Sequence, residues 1–201
     1  MNYQKLLDKK LEELTRGGKR PRLLLHACCA PCSSYVVEYL SEYFELTLFY
    51  YNPNIYPEAE YNKRGLQFEK LLLKTGRGAG LIICGYTPDA FAEAVRSLEH
   101  EPEGGARCAV CFRLRLEASA FYAKEHGFDL FTTTLSVSPH KNSALLNEIG
   151  GELAQKHGVG FLFSDFKKKE GYKRSLTLSA EYDLYRQDYC GCEYSIRHNA
   201  T

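Results

Sequence analysis

The chain has 201 residues, 44% of them hydrophobic, so it can bury a sizeable core and needs no metal merely to fold. A net charge of +1, from 26 basic and 25 acidic side chains, excludes a polycation that grips nucleic acid over its whole surface; such a partner would have to meet a local patch. No stretch approaches the ~18 uninterrupted apolar residues of a membrane span, and the charged opening MNYQKLLDKKLEEL lacks the apolar core of a secretory signal, so the expectation is a cytoplasmic protein with no membrane partner.

Residues 3–16, within an N-terminal segment 1–20, have the spacing of an amphipathic helix, and RPRLLLHA contains a short apolar strand. SSYVVEYLSEY then places Val36, Val37, Leu40 and Phe44 on one helical stripe, and FELTLFYY reads as the second strand. EAEYNKRGLQFEKLLLKTG is a long helix closed by Gly76, GLIICGY a third strand, and PDAFAEAVRSL a helix opened by Pro88. From Arg107 to His126 a further helix buries Phe112, Leu116, Ala120 and Ala123; FDLFTTT, NSALLNEIGGELAQKHG and VGFLFS follow as strand, helix and strand. Alternation of this kind predicts an α/β domain with a parallel sheet flanked by helices and functional loops at the carboxyl ends of the strands. With no linker or repeat, residues 1–201 are expected to form one domain carrying a C-terminal extension from about Gly171 to Thr201.

Eight cysteines suit a reducing compartment poorly unless they bind metal or carry redox duty. Cys84, inside an apolar strand, reads as a buried structural thiol. The other seven form three groups: Cys28, Cys29 and Cys32 after the first strand, Cys108 and Cys111 at a helix start, where the dipole favours thiolates, and Cys190 and Cys192 in the tail. Structural zinc normally uses paired knuckles, whereas the vicinal Cys28–Cys29 pair diverges and suits the corners of a 4Fe-4S cubane better. A carboxylate ligand could come from Asp165 or Asp188, each of which also reads as a helix cap or surface charge. His26 reads as a core histidine and as a candidate proton donor.

The ordered motifs HACCAPC, EPEGGARCAVCFRLRL, TTTLSVSPHKN, SDFKKKEGYKRS and LYRQDYCGCEYS resemble those of the cobalamin-independent epoxyqueuosine reductases, the QueH-type family, over roughly residues 22–195. The resemblance implies an iron-sulfur enzyme that reduces the epoxide of epoxyqueuosine at the tRNA wobble position, the last step of queuosine formation. It also implies a Rossmann-like fold of the nucleotide-binding PP-loop kind with a metal-binding C-terminal extension, although the chain lacks the SGGxDS of ATP-using relatives after its first strand.

Epoxide-to-alkene reduction takes up two electrons, and a 4Fe-4S cluster ordinarily passes one, so a second element is expected. Cys28, Cys29, Cys108 and Cys111 are assigned to the cluster. Cys32, Cys190 and Cys192 are assigned either to a second, mononuclear metal such as iron, acting as a Lewis acid, or to a redox-active disulfide pair; Cys190, Cys192 and Cys32 are the catalytic candidates. The expected partners are tRNA carrying epoxyqueuosine in its anticodon and an electron donor that the sequence does not name; nor does it set an oligomeric state. Lys141, Lys167, Lys168, Lys169, Lys173, Arg174 and Arg186 are the candidate phosphate contacts, and Tyr172, Tyr185 and Tyr189 the candidate stacking faces. The alternatives are a zinc-stabilised RNA-binding module and an iron-sulfur electron carrier or redox sensor without epoxide reductase activity.

Overall fold

A computed structural model describes residues 1–196. Five parallel strands, β1 (Arg22–His26), β2 (Glu45–Tyr50), β3 (Gly80–Ile83), β4 (Leu130–Thr133) and β5 (Gly160–Phe161), lie in the order β3-β2-β1-β4-β5. The period-2 alternation of these strands feeds two cores. Leu23, Leu25, Leu46, Leu48 and Tyr50 enter one, and Leu24, Phe49, Phe131 and Phe161 enter the other. Both faces are therefore covered, as a parallel sheet requires.

The first core is closed by α1 (Tyr3–Gly17) through Leu7 and Leu11, by α2 (Ala30–Leu40) through Val36, Val37 and Leu40, and by α3 (Glu58–Thr75) through Tyr61, Phe68 and Leu71. The second is closed by α5 (Ala106–Glu125) through Phe112, Leu116, Ala120 and Ala123, and by α6 (Ser143–His157) through Leu146, Ile149 and Leu153. Between β3 and α5 the short α4 (Pro88–Ala94) adds Phe91 to a small cluster holding Val95, Cys111 and Cys192. The α/β expectation holds, with two corrections of detail. Helix α2 stops at Leu40, so Phe44 reaches the first core from beyond the helix rather than from its stripe. The C-terminal extension, for which no element was expected, begins with an 11-residue helix, α7 (Gly171–Glu181), packed on α2.

Strand order reverses between β1 and β4: β2 and β3 lie on one side of this pair's first member and β5 on the far side of the second. In doubly wound sheets the crevice at the carboxyl ends of such a pair is where ligands sit. The Cys28 loop follows β1 and Thr134 follows β4, so the fold delivers the opening cysteine motif to that crevice. No helix among the described residues is long and apolar enough to cross a membrane.

Candidate metal centre

Residue 29 caps α2 from extended backbone, and Pro31 occupies its first turn, so Cys28, Cys29 and Cys32 wrap around one helix start. Their sulfurs all lie within 4.8 Å of one another, with Cys28 and Cys29 3.9 Å apart. The Thr134 hydroxyl donates to Cys28 Sγ at 3.3 Å and accepts from the Cys28 N–H at 3.1 Å, pinning the loop across the strand switch. Hydrogen bonds from the Cys28 and Cys32 thiols hold Cys29 well below the ordinary thiol range; the same sharing raises Cys28 to about 11 and pushes Cys32 up. Three sulfurs so close stabilise one thiolate through two thiol donors, and a metal binding there would have to displace the remaining protons.

The second cysteine pair lies at the start of α5. Cys108 Sγ accepts from the Gly104 N–H at 3.2 Å, and Cys111 is buried, its thiol raised to about 11 by desolvation. Gly105 occupies the cap position of this helix, and the Ala106 N–H donates to the Glu101 carboxylate at 3.2 Å.

The third pair is carried by the segment after α7, which folds back across α3. Gly191 accepts from the Tyr56 N–H at 2.8 Å, and Arg64 Nη1 donates to the Cys190 carbonyl at 3.2 Å. Gly191 has φ 131°, and a Cβ there would come within 3.1 Å of Arg64 Nη1 and Ile55, so the middle residue of Cys-Gly-Cys has to be glycine. Cys190 Sγ accepts from Lys141 Nζ at 2.9 Å, while Cys192 lies in the small cluster with Cys111.

Cys28, Cys32 and Cys190 open onto one cavity of about 560 Å³. Cys108 and Cys111 do not line it; their link to it is Arg115, which does line it and donates to the Cys111 carbonyl at 3.2 Å. All eight cysteines are free thiols, including Cys190 and Cys192. Cys84 lies apart on the second core, half-buried, its thiol raised to about 11 by desolvation.

Other expected site residues are divided by the structure. Asp188 is exposed at the cavity rim, whereas Asp165 pairs with Lys167 at 3.4 Å and does not line the cavity. His26 is fully buried: its Nε2 meets the Tyr51 carbonyl at 3.2 Å, and its Nδ1 lies 2.8 Å from the Thr133 hydroxyl. Since a carbonyl only accepts, Nε2 carries the hydrogen. Burial, and then Arg115, lower this histidine to about 3, so it stays neutral and serves as a brace between β1 and β4 rather than a proton donor.

The basic set is also divided. Lys141 is turned inward to Cys190 and pairs with Glu103 at 3.4 Å; burial opposes its charge, but Cys190 holds it above the ordinary lysine value. Arg174 makes a bidentate clasp on Glu38 at 3.0 and 2.8 Å, tying α7 to α2, and Lys169 pairs with Asp8 at 2.6 Å. Lys173 meets Glu170 at 3.4 Å with both side chains exposed, and Lys168 projects into solvent. Arg186 and Tyr172 line the cavity, as does Tyr189, which stacks against Arg64; Tyr185 lies under Lys63 Nζ at 3.4 Å.

Sequence reasoning missed Arg115, Asn52 and Thr134. Arg115 had a signal: it follows Cys108 by seven residues and Cys111 by four, on the buried face of its helix, where a charge needs a reason.

A sequence profile of the family described as Epoxyqueuosine reductase QueH matches residues 23–198. Proteins bearing the same description are similar along most of their length. The one from Streptococcus pyogenes serotype M1 is 41% identical over 98% of this chain and 79% of its own. That of Staphylococcus epidermidis is 42% identical over 97% and 84%, and that of Thermotoga maritima 35% identical over 87% and 90%. With the profile spanning all three cysteine groups, this chain belongs to the QueH family of epoxyqueuosine reductases.

Proposed function

We propose that this protein is an oxidoreductase that reduces the epoxide of epoxyqueuosine to the alkene of queuosine at the wobble position of tRNA, with a 4Fe-4S cluster held by its thiols. The observation that carries the reading is a cavity at the strand switch lined by Cys28, Cys32 and Cys190, drawn from the two ends of the chain, with the Cys28, Cys29 and Cys32 sulfurs within 4.8 Å of one another. Conversion of the epoxide to alkene and water takes up two electrons and two protons. An external reductant must therefore supply the electrons.

The residues present fit an iron-sulfur group. Three sulfurs cluster within 4.8 Å, and the Gly104 N–H and the Thr134 hydroxyl already donate to Cys108 and Cys28, as donors do to metal-bound thiolates. Cys28, Cys29, Cys108 and Cys111 would hold the cluster. Cys32, Cys190 and Cys192 would form the second element, a mononuclear iron or a redox-active dithiol, with Asp188 as the carboxylate nearer the cavity. When bound, the cluster supplies single electrons at low potential. Lys141 holds its ammonium 2.9 Å from Cys190 Sγ, so a positive charge and a proton source stand beside that thiol.

Phosphate contact falls to Lys168, Lys173 and Arg186. The exposed Lys173–Glu170 pair is worth ~0–1 kcal/mol and yields readily to a phosphate, whereas the clasp of Arg174 on Glu38 holds the fold. Tyr172 and Tyr189 offer faces to an unpaired base at the cavity wall. These features together are what a cytoplasmic, tRNA-acting enzyme needs.

The test is direct. Anaerobically reconstituted protein, given a low-potential reductant and tRNA from cells that accumulate epoxyqueuosine, should yield queuosine by mass spectrometry of digested nucleosides without added cobalamin. Unchanged epoxyqueuosine with an intact iron-sulfur signal would favour a plain electron carrier. A colourless, zinc-loaded protein that binds RNA would favour the binding module.

A further inference from the structure

We propose that Arg115 is the fixed counter-charge of the thiol centre, tying the α5 cysteine pair to the Cys28 loop and holding a permanent positive charge against the anionic metal–thiolate group. The inference rests on reading the cysteines as such a centre.

Cys108, Cys111 and Arg115 follow one another at helical spacing on the buried face of α5, and Arg115 is 2% exposed. Its Nε donates to the Cys111 carbonyl at 3.2 Å, and its Nη1 to Asn52 Oδ1 at 3.3 Å. Asn52 Nδ2 in turn donates to the carbonyl of Ala27, the residue before Cys28, at 2.9 Å. One guanidinium thus links two cysteine groups that lie 76 residues or more apart in sequence. Its Nη2 is buried without a partner.

Comparison with the other buried arginines isolates the point. Arg64 has the Glu60 carboxylate at 2.7 Å, and Arg107 is wrapped by the carbonyls of Leu98, Glu99 and Glu101 while stacking on Tyr194. Among the described residues neither Arg107 nor Arg115 has a carboxylate in an ion pair, but Arg115 meets only two neutral oxygens where Arg107 meets three. A desolvated guanidinium with so few acceptors is disfavoured unless an anion lies beside it. The groups facing it are the thiols of Cys111, Cys190, Cys28 and Cys108, the neutral His26 and a second cation, Lys141. Of these groups only the thiols can become negative; of the carboxylates on the same cavity, Glu103 is paired with Lys141 at 3.4 Å and Asp188 is exposed at the rim.

Four thiolates on an oxidised cubane leave two net negative charges, and accepting an electron adds a third. A nearby fixed cation stabilises both forms and the reduced form more, so it raises the reduction potential and secures the metal. Arg115 acts through the centre rather than on the substrate and is a positioning residue.

The experiment compares reconstituted wild-type protein with Arg115→Met, Arg115→Lys and Asn52→Asp. Its readouts are iron and sulfide content, reduction potential from an EPR-monitored titration, iron loss to a chelator, and melting of the metal-free protein. Arg115→Met should shift the potential negative and speed iron loss by roughly tenfold or more, as expected for one charge in a poorly screened site. Arg115→Lys should keep the potential near wild type while lowering the melt of the metal-free protein, because the charge stays but the two-way bridge is lost. Asn52→Asp should shift the potential negative with Arg115 still in place, since the new carboxylate neutralises it. If wild type takes up no iron-sulfur group, the underlying reading fails. If wild type does, and Arg115→Met and Asn52→Asp leave the potential unchanged, Arg115 is only a brace and the inference is overturned. Should Arg115→Met fail to fold, Asn52→Asp and Arg115→Lys decide the matter.

Discussion

Replacing Gly171 by alanine tests whether the C-terminal cysteines depend on how α7 is seated. An ideal Cβ at this position would lie 2.0 Å from the Phe166 carbonyl oxygen and 2.4 Å from Tyr35 Cε1, where ordinary contact begins near 3.4 Å. Backbone would have to move by about 1.4 Å, and it cannot swing away as a side chain could. Overpacking of this kind costs ~1–3 kcal/mol, with a backbone clash placing it toward the upper end. For a chain of this size that corresponds to a fall in Tm of ~5–10 °C. The control is Gly65→Ala in α3, whose nearest neighbour is Tyr50 Cε1 at an ordinary 3.4 Å. There the usual helix preference for alanine should give a gain of ~0.5–1 kcal/mol. Opposite signs from the same chemical change, read by thermal melting of metal-free protein, are the expected outcome. Because the chain runs from α7 through Leu184 to Cys190, Gly171→Ala should also lower epoxide turnover below its melting temperature. Melting within a degree of wild type would refute the packing described for α7.

Three further outcomes are expected. Cys108→Ala or Cys111→Ala should abolish the iron-sulfur absorption, whereas Cys190→Ala or Cys192→Ala should keep it and lose turnover by orders of magnitude; a colourless Cys190 or Cys192 variant would move that cysteine into the cluster set. Neutralising Lys168, Lys173 and Arg186 together should weaken tRNA binding and flatten its dependence on salt, while Arg174→Ala should mainly lower the melting temperature by releasing Glu38; identical salt slopes for wild type and the triple variant would remove the phosphate assignment. Burial raises the Cys84 thiol from an ordinary 9.0 to about 11, so the native fold favours its neutral form: this contribution to stability is full below the unfolded-chain value and is lost as pH rises through about 11. At pH 8 its thiolate should be about a hundred-fold scarcer than that of a free thiol, and alkylation followed by peptide mapping should show its rate still climbing beyond pH 9, not levelling there.

The sheet was legible because its strands announce themselves locally: Leu23–Leu25 and the run FELTLFYY are apolar on both faces, and each is followed by a helix with its own stripe. The tail was less so. GYKRSLTLSAE carries three charges and no broad apolar stripe, and it becomes a helix because Leu178, Ser175 and Ser179 bury against α2, a partner more than a hundred residues earlier. The lysine-rich run looked like a phosphate track for the same reason: its carboxylate partners Asp8 and Glu38 belong to α1 and α2, and sequence proximity gives no hint of them. At the site, the cysteine groups were legible by spacing, but their placement depends on strand order, which places Thr134 beside Cys28. The inward turn of Lys141 toward Cys190 is likewise a product of tertiary packing.

How each cysteine group is supported bears on the division of labour among them. Cys28 and Cys29 occupy the short loop between a central strand and the helix that Cys29 caps, and Cys108 and Cys111 sit in the first two turns of a 20-residue helix packed on the sheet. Both pairs are anchored directly to regular elements and linked to one another through Asn52 and Arg115. Cys190 and Cys192 instead ride on irregular chain, held by the Tyr56–Gly191 hydrogen bond, the contact of Arg64 with the Cys190 carbonyl and a single buried glycine turn. Segments with few backbone hydrogen bonds open locally at much lower cost than strands and helices of the core. A cubane needs four ligands that do not shift as its charge changes, and it is best served by the rigid pairs. A dithiol or mononuclear site that must admit a nucleotide, turn over and be regenerated is best served by the strap. Cys32 belongs in space to the first set, within 4.8 Å of Cys28 and Cys29, and it opens onto the cavity that Cys190 lines. It therefore stands where electrons would pass from the rigid half of the centre to the movable one.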